Sequence, residues 1–574
     1  MKKTKFLATT ALDKFWNKNE EILFLGEWCK IYKNKDIYKK LNSETLDFIW
    51  GNYQEIDQAW TYHDSLYPQI ILNLTKVLNK YHSVNKSIQY WDILLRPWLT
   101  RYIQILYDKY RHIKFAQEKY TIYTYTLKEQ NYQYINTTHS FINNIEMNDE
   151  YNLQIYSQII KFLKIKHLDK EDSISKLDTR IIIQSSYWSK KAKKLSLLIN
   201  KKYKHSNNIV VVNPYFKFDF WKNLKKLAIK TKMKYYFNDF QYDININKKI
   251  APYARKSIFQ NNSDEKFEAL LYQTFEYNFP IIFLEGYKEF DSKVKNLNIE
   301  VPTAIVTANS IHYNEIFRFY LSNNITKTKF FQLQHGGGYG INKVTLAEEI
   351  ERTYADKFFT FGWDDYNNTK PISMPKYKFN KNITNNQITL ILTTMSRYPN
   401  GLNYNESSSK MLDSIENTKQ FLNNLTNISN LTIREFPIEF GWDIKQRLLS
   451  SNKQLYFNNN INYYTQITNS KLNIYNHMHT GYLESLSMNI PTIIIIPKDV
   501  YYFRDSSKPF IQMLIDNNIL YYNPLDAAKF TNKIQNNIES WWLSSNVQDA
   551  RKRFCHQYMR TSNNWEDSWI KELK

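Results

Sequence analysis

Cysteine is almost missing: Cys29 and Cys555 are the only two among 574 residues. Neither a disulfide framework nor a cysteine-rich zinc site can be built from them, and a reducing, cytoplasmic setting is expected. Long apolar runs are missing too, since nothing approaches the ~18 consecutive apolar residues of a spanning helix. The opening MKKTKFLATTALDKFW interrupts its brief apolar stretch with Thr and then Asp, too soon for a signal peptide. Membrane contact is therefore expected to be peripheral, at the inner face. Acidic residues are outnumbered, 55 against 77 Lys and Arg, leaving a net charge of +22. Such a balance suits phosphate binding only when the cations cluster. Most lysines here are scattered among Asn, Ile and Tyr without an aromatic-and-basic stripe, so a nucleic-acid partner is not expected. The densest runs, Lys190-Lys191-Ala192-Lys193-Lys194 and Lys201-Lys202-Tyr203-Lys204, would suit acidic lipid headgroups.

What is abundant is aromatic: 45 Tyr, 34 Phe and 14 Trp, in a chain that is 43% apolar. That composition folds, and the length calls for more than one core. Short β-branched and aromatic runs alternate with amphipathic ones, the pattern of βα units and parallel sheets. Strands are expected at KFLATT near residue 5, ILFLGE (22–27), NIVVVN (208–213), PIIFLEG (280–286), TAIVTA (303–308), KFFQLQ (329–334) and KFFTFG (357–362). A second set is expected at ITLILTT (388–394), LTIREF (431–436), LNIYN (472–476) and PTIIIIP (491–497). Helices are expected at 220–231, 266–277, 407–424, 481–488 and 508–517. Between about 40 and 200, Trp, Tyr and Leu recur at three- and four-residue spacings, which predicts a helical insertion. The expected fold is α/β with two Rossmann-like domains, 1–380 and 381–574, joined by the polar stretch KYKFNKNITNNQ.

Glycine is rare, eleven in all, yet four fall in FQLQHGGGYG at 331–340. A strand followed by His335, Gly336, Gly337, Gly338, Tyr339 and Gly340 places a loop nearly free of side chains at the carboxyl edge of a parallel sheet, where open α/β sheets bind ligands. Backbone N–H groups there can approach an anion or a sugar closely. The spacing is neither Walker A nor GxGxxG. A Thr345-x-x-Glu348 capping box would open the next helix. His335 is the leading candidate base, because a strand-end imidazole beside such a loop can take a proton or donate to phosphate.

The second informative stretch is NHMHTGYLESLSMNIPTIIII (476–496). A helix opening at Thr480 or Gly481 offers free N–H groups and a positive dipole end to a phosphate, with His479 just before it. Glu484, placed in the first turn, would accept two ribose hydroxyls. His477 and His479 make an i, i+2 pair, but no cysteine or carboxylate cluster completes a metal site, and Asp364-Asp365 stands without partners. Arg397, after the strand ITLILTT, would face the donor phosphate. Glu27, following ILFLG, would point into the cleft beside Trp28 as an alternative base. Arg96 and Arg101 flank Pro97-Trp98 and would bind an anionic acceptor or lipid phosphate. Asn309, Ser310 and His312 would line the same edge as His335.

An E-x6-P segment, Glu484 to Pro491, with a His-Gly loop upstream in the first domain, looks like the GT-B glycosyltransferase plan. FLATTALDKFW with ILFLGEWC, QHGGGYG with EEIERTYADKFFTFGW, and HTGYLESLSMNIPTI together resemble a family of bacterial surface-carbohydrate transferases. That family is similar, distantly, to CDP-glycerol glycerophosphotransferases and to capsule sugar (Kdo-type) transferases. The resemblance implies a nucleotide-sugar donor, CMP- or CDP-linked, held mainly by the second domain. It also implies a glycan or lipid-linked acceptor held mainly by the first, His335 as base, Thr480 at the donor phosphate, and no cofactor or metal. Two other readings remain open on the residues alone: a basic protein that binds nucleic acid or membrane without turnover, and a sugar-nucleotide epimerase, which would act on donor without acceptor.

Overall fold

A computed structural model of the chain describes residues 2–171, 208–214, 220–231, 234–237, 240, 246, 248–260, 263, 265–297, 301–377, 386–403 and 405–573. The basic runs at 190–194 and 201–204, and the domain boundary near 380, lie outside the described residues. Three large sheets, all parallel, organise the rest.

The first sheet holds β1 (Thr4–Ala8), β2 (Ile22–Phe24), β3 (Ser43–Thr45), β4 (Thr121–Leu127) and β5 (Lys166–Lys170) in the order β3-β2-β1-β4-β5. It departs from expectation: β1 pairs with β4 and β2 with β3, and β3, β4 and β5 lie inside the stretch expected to be a helical insertion, so β1 and β2 do not join the glycine-loop sheet. β5, KHLDK, is almost wholly exposed and polar, so it carries no hydrophobic signal. The expected helices are there as well. They are α1 (Tyr53–His82) and α2 (Ile88–Lys119), followed by α3 (Thr138–Met147) and α4 (Asp149–Phe162). α2 is buried along nearly its whole length because it lies between the first sheet's unit and the second's.

The second sheet comprises β6 (Asn208–Val212), β7 (Lys234–Phe237), β8 (Ala304–Thr307), β9 (Lys329–Leu333), β10 (Lys357–Thr360) and β11 (Thr369–Pro371), ordered β11-β10-β9-β8-β6-β7. The run expected as a strand at 280–286 is a single 3-10 turn, Ile281–Phe283, because its amides bond to the carbonyls of Ile135 and Asn136 and not to a ladder. Helix α5 (Leu346–Thr353) follows the glycine loop. After the short β12 (Met374–Pro375), the third sheet takes β13 (Ile388–Ile391), β14 (Leu431–Arg434), β15 (Leu472–Tyr475), β16 (Thr492–Ile495) and β17 (Leu520–Tyr521), ordered β14-β13-β15-β16-β17. Helices α6 (Lys410–Asn423) and α7 (Thr480–Ser487) cover it. The second and third sheets are two Rossmann-like units, each with its first strand between its second and third. That reversal is the point at which such sheets bind ligands.

Strand periodicity divides the core. Ile209, Val211, Phe331 and Leu333 face one cluster, while Val210, Val212 and Phe330 face another shared with the first sheet. Ile494 and Ile496 join the cluster of Val211, and Ile493 and Ile495 point the opposite way. The second and third units therefore share apolar packing. The chain end returns to the second unit: β18 (Thr561–Ser562) pairs with β12, and the Trp569 indole packs 5.5 Å from the Phe359 ring.

The first and third units are tied by Arg397. Its Nη2 donates to Asp149 Oδ2 at 2.6 Å, its Nε to the Phe440 carbonyl at 2.7 Å, and its Nη1 to the carbonyl of Trp28. The guanidinium is 5% exposed and so cannot face a donor phosphate, which corrects the role expected for it. Arg397→Met leaves Asp149 uncompensated in a dry interface and is expected to cost about 3–5 kcal/mol in urea unfolding. Adding Asp149→Leu should recover part of that loss, and additive costs would show that the pair does not couple.

Candidate active site

The glycine loop is shaped by its neighbours. Gln334 fixes its start, accepting from Phe361 N at 2.9 Å and Trp363 Nε1 at 2.8 Å and donating to the Gly336 carbonyl at 2.9 Å. Gly340 has φ +71°, and a Cβ there would sit 2.4 Å from the Trp363 ring, so no other residue fits. At Gly337 a Cβ would fall 2.6 Å from the His479 carbonyl carbon and 2.8 Å from Thr480 N. The glycine loop thus lies directly on the N-terminus of α7, and the carboxyl edges of the second and third sheets meet there. Gly336 lies against the Tyr339 ring and Gly338 beside the Asn342 amide.

His335 and His312 come together on one buried oxygen. Glu351 Oε1 lies 3.1 Å from His335 Nδ1, 2.7 Å from His312 Nε2 and 3.1 Å from the Tyr339 hydroxyl. Burial opposes the charge of Glu351, but the imidazoles of His335 and His312 outweigh it and hold the carboxyl below its ordinary value. On the far side of His312, Arg101 Nη2 lies 3.3 Å from Nδ1. Because arginine only donates, His312 carries its proton on Nε2. Burial pushes the His312 imidazole down to about 4, so the ring is neutral. His335 turns Nδ1 toward Glu351, and its side chain keeps 22% exposure.

The third sheet supplies the opposite wall. Helix α7 begins at Thr480, as expected, with His479 at its N-cap. His479 Nδ1 lies 3.2 Å from Thr393 Oγ1, and Nε2 lies 3.5 Å from Glu406 Oε2. The buried Glu406 also accepts the Tyr501 hydroxyl, which accepts from Met478 N at 2.9 Å. The His477 ring lies 4.8 Å from that of His479, tilted by 38°, and burial pushes its imidazole well below its ordinary value. Gly481 sits under the Tyr463 hydroxyl.

Other expectations are corrected. Glu484 lies in the second turn of α7, buried, where its Oε1 accepts from the Tyr464 hydroxyl at 3.2 Å. Glu27 belongs to the first sheet's unit, bonded to Lys30 Nζ at 2.9 Å, and Trp28 is core. Arg96 is held by Asp92 at 2.6 Å and lies over the Tyr67 ring. Asn309 accepts from Asn213 Nδ2 at 2.6 Å where β6 and β8 end, the reversal point of the second sheet. Thr345 makes no capping bond; Glu348 instead takes Gly340 N at 3.0 Å and Arg504 Nη2 at 2.5 Å. Asp365 pairs with Arg504 at 3.3 Å, and Asp364 accepts from Thr369 at 2.7 Å. Glu351, Glu146, Thr393 and Glu406 were not expected at the site, and Tyr339 was expected only as part of the loop. Only Glu348 and Glu351 left a trace, as two acids three residues apart on the face that also buries Leu346.

The family described as LIC12162 family transferase matches residues 5–573. The chain belongs to that family. It is accordingly an enzyme, a transferase, and among the described residues no helix is long and apolar enough to cross a membrane. No curated protein matches the sequence. Three solved structures are similar in outline. Spinosyn rhamnosyltransferase SpnG, solved with spinosyn aglycone, is 8% identical over 63% of this chain and 99% of its own, with a TM-score of 0.31. MurG of Acinetobacter baumannii is 10% identical over 64% and 99%, at 0.29. UDP-GlcNAc 2-epimerase of Methanocaldococcus jannaschii is 11% identical over 64% and 99%, at 0.34. Likeness at that level says nothing about chemistry.

His312 gives this transferase a measurable acid sensitivity. Its folded value of about 4 lies below the 6.5 of an unfolded histidine, so between them the unfolded chain binds a proton that the native state refuses. The stabilisation is complete above pH ~6.5 and is lost as pH falls toward 4; roughly 2 kcal/mol of it is gone at pH 5. Unfolding at pH 7 and pH 5 should show a smaller difference for His312→Asn than for the native protein. Equal differences would mean the ring is not held neutral.

Proposed function

We propose that the protein moves a sugar or sugar-like group from a nucleotide-activated donor to a hydroxyl of a surface-glycan or lipid-linked acceptor. The observation that carries this is the seating of Gly337 on the His479–Thr480 peptide, which brings a histidine–carboxylate pair and a helix N-terminus to one junction. His335 Nε2 takes the proton of the acceptor hydroxyl while Glu351 holds Nδ1 and stabilises the imidazolium that forms. The acceptor oxygen bonds to the donor's activated carbon as the bond from that carbon to the phosphate oxygen breaks. The departing phosphate meets the free amides of α7 near Thr480 and the His479 ring, dipoles already aimed at the growing charge.

The donor is expected on the third unit and the acceptor on the second. A CMP- or CDP-linked donor rests on the resemblance to the glycerophosphotransferase and capsule families. The lysine runs at 190–204 suit transient contact with the inner face of a membrane, where a lipid-linked acceptor would lie. Turnover of donor without acceptor would favour the epimerase reading.

A thermal-shift screen against CMP, CDP, UDP, GDP and dTDP is expected to single out one nucleotide, because a ligand that binds only the folded state raises its melting point. No shift with any of them would sink the reading. With the donor in hand, His335→Gln should lower transfer on the order of 10²- to 10⁴-fold with nucleotide binding kept. Full activity in that variant would remove His335 from its role.

A further inference from the structure

Beside the histidine–carboxylate pair lies a second polar group that the transfer step does not use. Glu146, on α3, projects toward the loop after β13, where Asn400 Nδ2 donates to its Oε1 at 2.7 Å. Its Oε2 has no protein partner among the described residues, and the side chain is only partly exposed. Burial, the larger effect, raises its carboxyl above the ordinary value. Arg101, on α2, is 8% exposed. It donates to the Pro97 carbonyl at 2.7 Å and lies 3.3 Å from His312 Nδ1, neither of them a carboxylate. Tyr313, with 42% of its surface open, stands within electrostatic reach of Arg101, Glu146 and Glu351. The chain Arg101–His312–Glu351–His335, with steps of 3.3, 2.7 and 3.1 Å, connects this group to the base. Three units contribute: α3 of the first, Tyr313 of the second, Asn400 of the third.

We propose that Glu146, Arg101, Tyr313 and Asn400 form the acceptor subsite, and that it takes an uncharged sugar ring by two adjacent hydroxyls. The proposal rests on the transfer reading and adds the acceptor's chemistry to it. Charge decides against an anion. Two carboxylates, Glu146 and Glu351, face the Arg101 guanidinium and the His335 ring, and His312 is neutral, so even with His335 protonated the charges only balance and none is left over for a phosphate or a carboxylate. Chemistry favours a diol: an open carboxylate oxygen accepts from one hydroxyl while a guanidinium donates to its neighbour. Such a contact would hold the ring beside His335 Nε2. The anionic acceptor expected for Arg96 and Arg101 does not fit here, since Arg96 is already bound to Asp92.

The test uses the full chain and needs no donor. Methyl α- and β-hexopyranosides of glucose, galactose and mannose are compared with the matching hexose 6-phosphates and uronic acids, by saturation-transfer NMR and competition. Neutral hexosides are expected to bind better than their charged counterparts. Glu146→Gln, which can still accept from Asn400, should weaken hexoside binding about tenfold to a hundredfold, the loss of one charged hydrogen bond, while its melting point and nucleotide shift stay native. Preference for the phosphates or uronates, no hexoside binding at all, or native binding by Glu146→Gln would each overturn the proposal. If Glu146→Gln fails to fold, Tyr313→Phe takes its place with the same readout. Nucleotide shifts without hexoside binding would remove the subsite alone; hexoside binding without any nucleotide shift would remove the transfer reading and leave the subsite.

Discussion

One peptide packed on one glycine governs the arrangement. Gly337 meets the His479–Thr480 peptide at a separation no side chain would permit, and that closeness sets the carboxyl edge of the second sheet against the start of α7. A loop with side chains would hold the edges apart by the thickness of a methyl group or more. His335 and His479 would then line separate surfaces. The rarity of glycine elsewhere makes physical sense beside this: the residue is concentrated where backbone must lie on backbone and on the Trp363 ring.

Helix α5 turns that contact into a rigid site with two buried acids of different duty. Glu348 is mechanical: it clasps the Gly340 amide and Arg504, which the third unit sends across, and Arg504 also donates to the Asn342 carbonyl at 2.8 Å. Glu351 is electronic, collecting two imidazoles and a phenol on one oxygen. Both are fully buried, where an unpaired carboxylate would be costly, so each must keep its donors and the loop keeps its shape.

The second and third sheets were legible because their strands are apolar on both faces, as strands between helix layers must be, and runs such as NIVVVN and PTIIIIP announce themselves. Thr480 at the head of α7 was readable from its place after a buried strand. Of the first sheet only β1 and β2 could be read, because β5 is polar and β4 is overshadowed by the helical periodicity of its neighbours. Arg397 was misread for a different reason. A cation after a strand end looks the same in sequence whether its acceptor is a ligand or Asp149, some 250 positions earlier. Glu146 and Glu406 were invisible because their meaning lies only in what distant segments bring to them, an amide in one case and a phenol with an imidazole in the other. Local patterns report burial and turns; they do not report partners.

The pairing of β12 with β18 has a mechanical outcome. The chain passes from the second unit to the third just after Met374–Pro375 and comes back at Thr561–Ser562, and the two passages run side by side as a parallel ladder. The third unit is thus held to the second at both of its ends, and the last helix, with Trp569 against Phe359, stays with the second sheet.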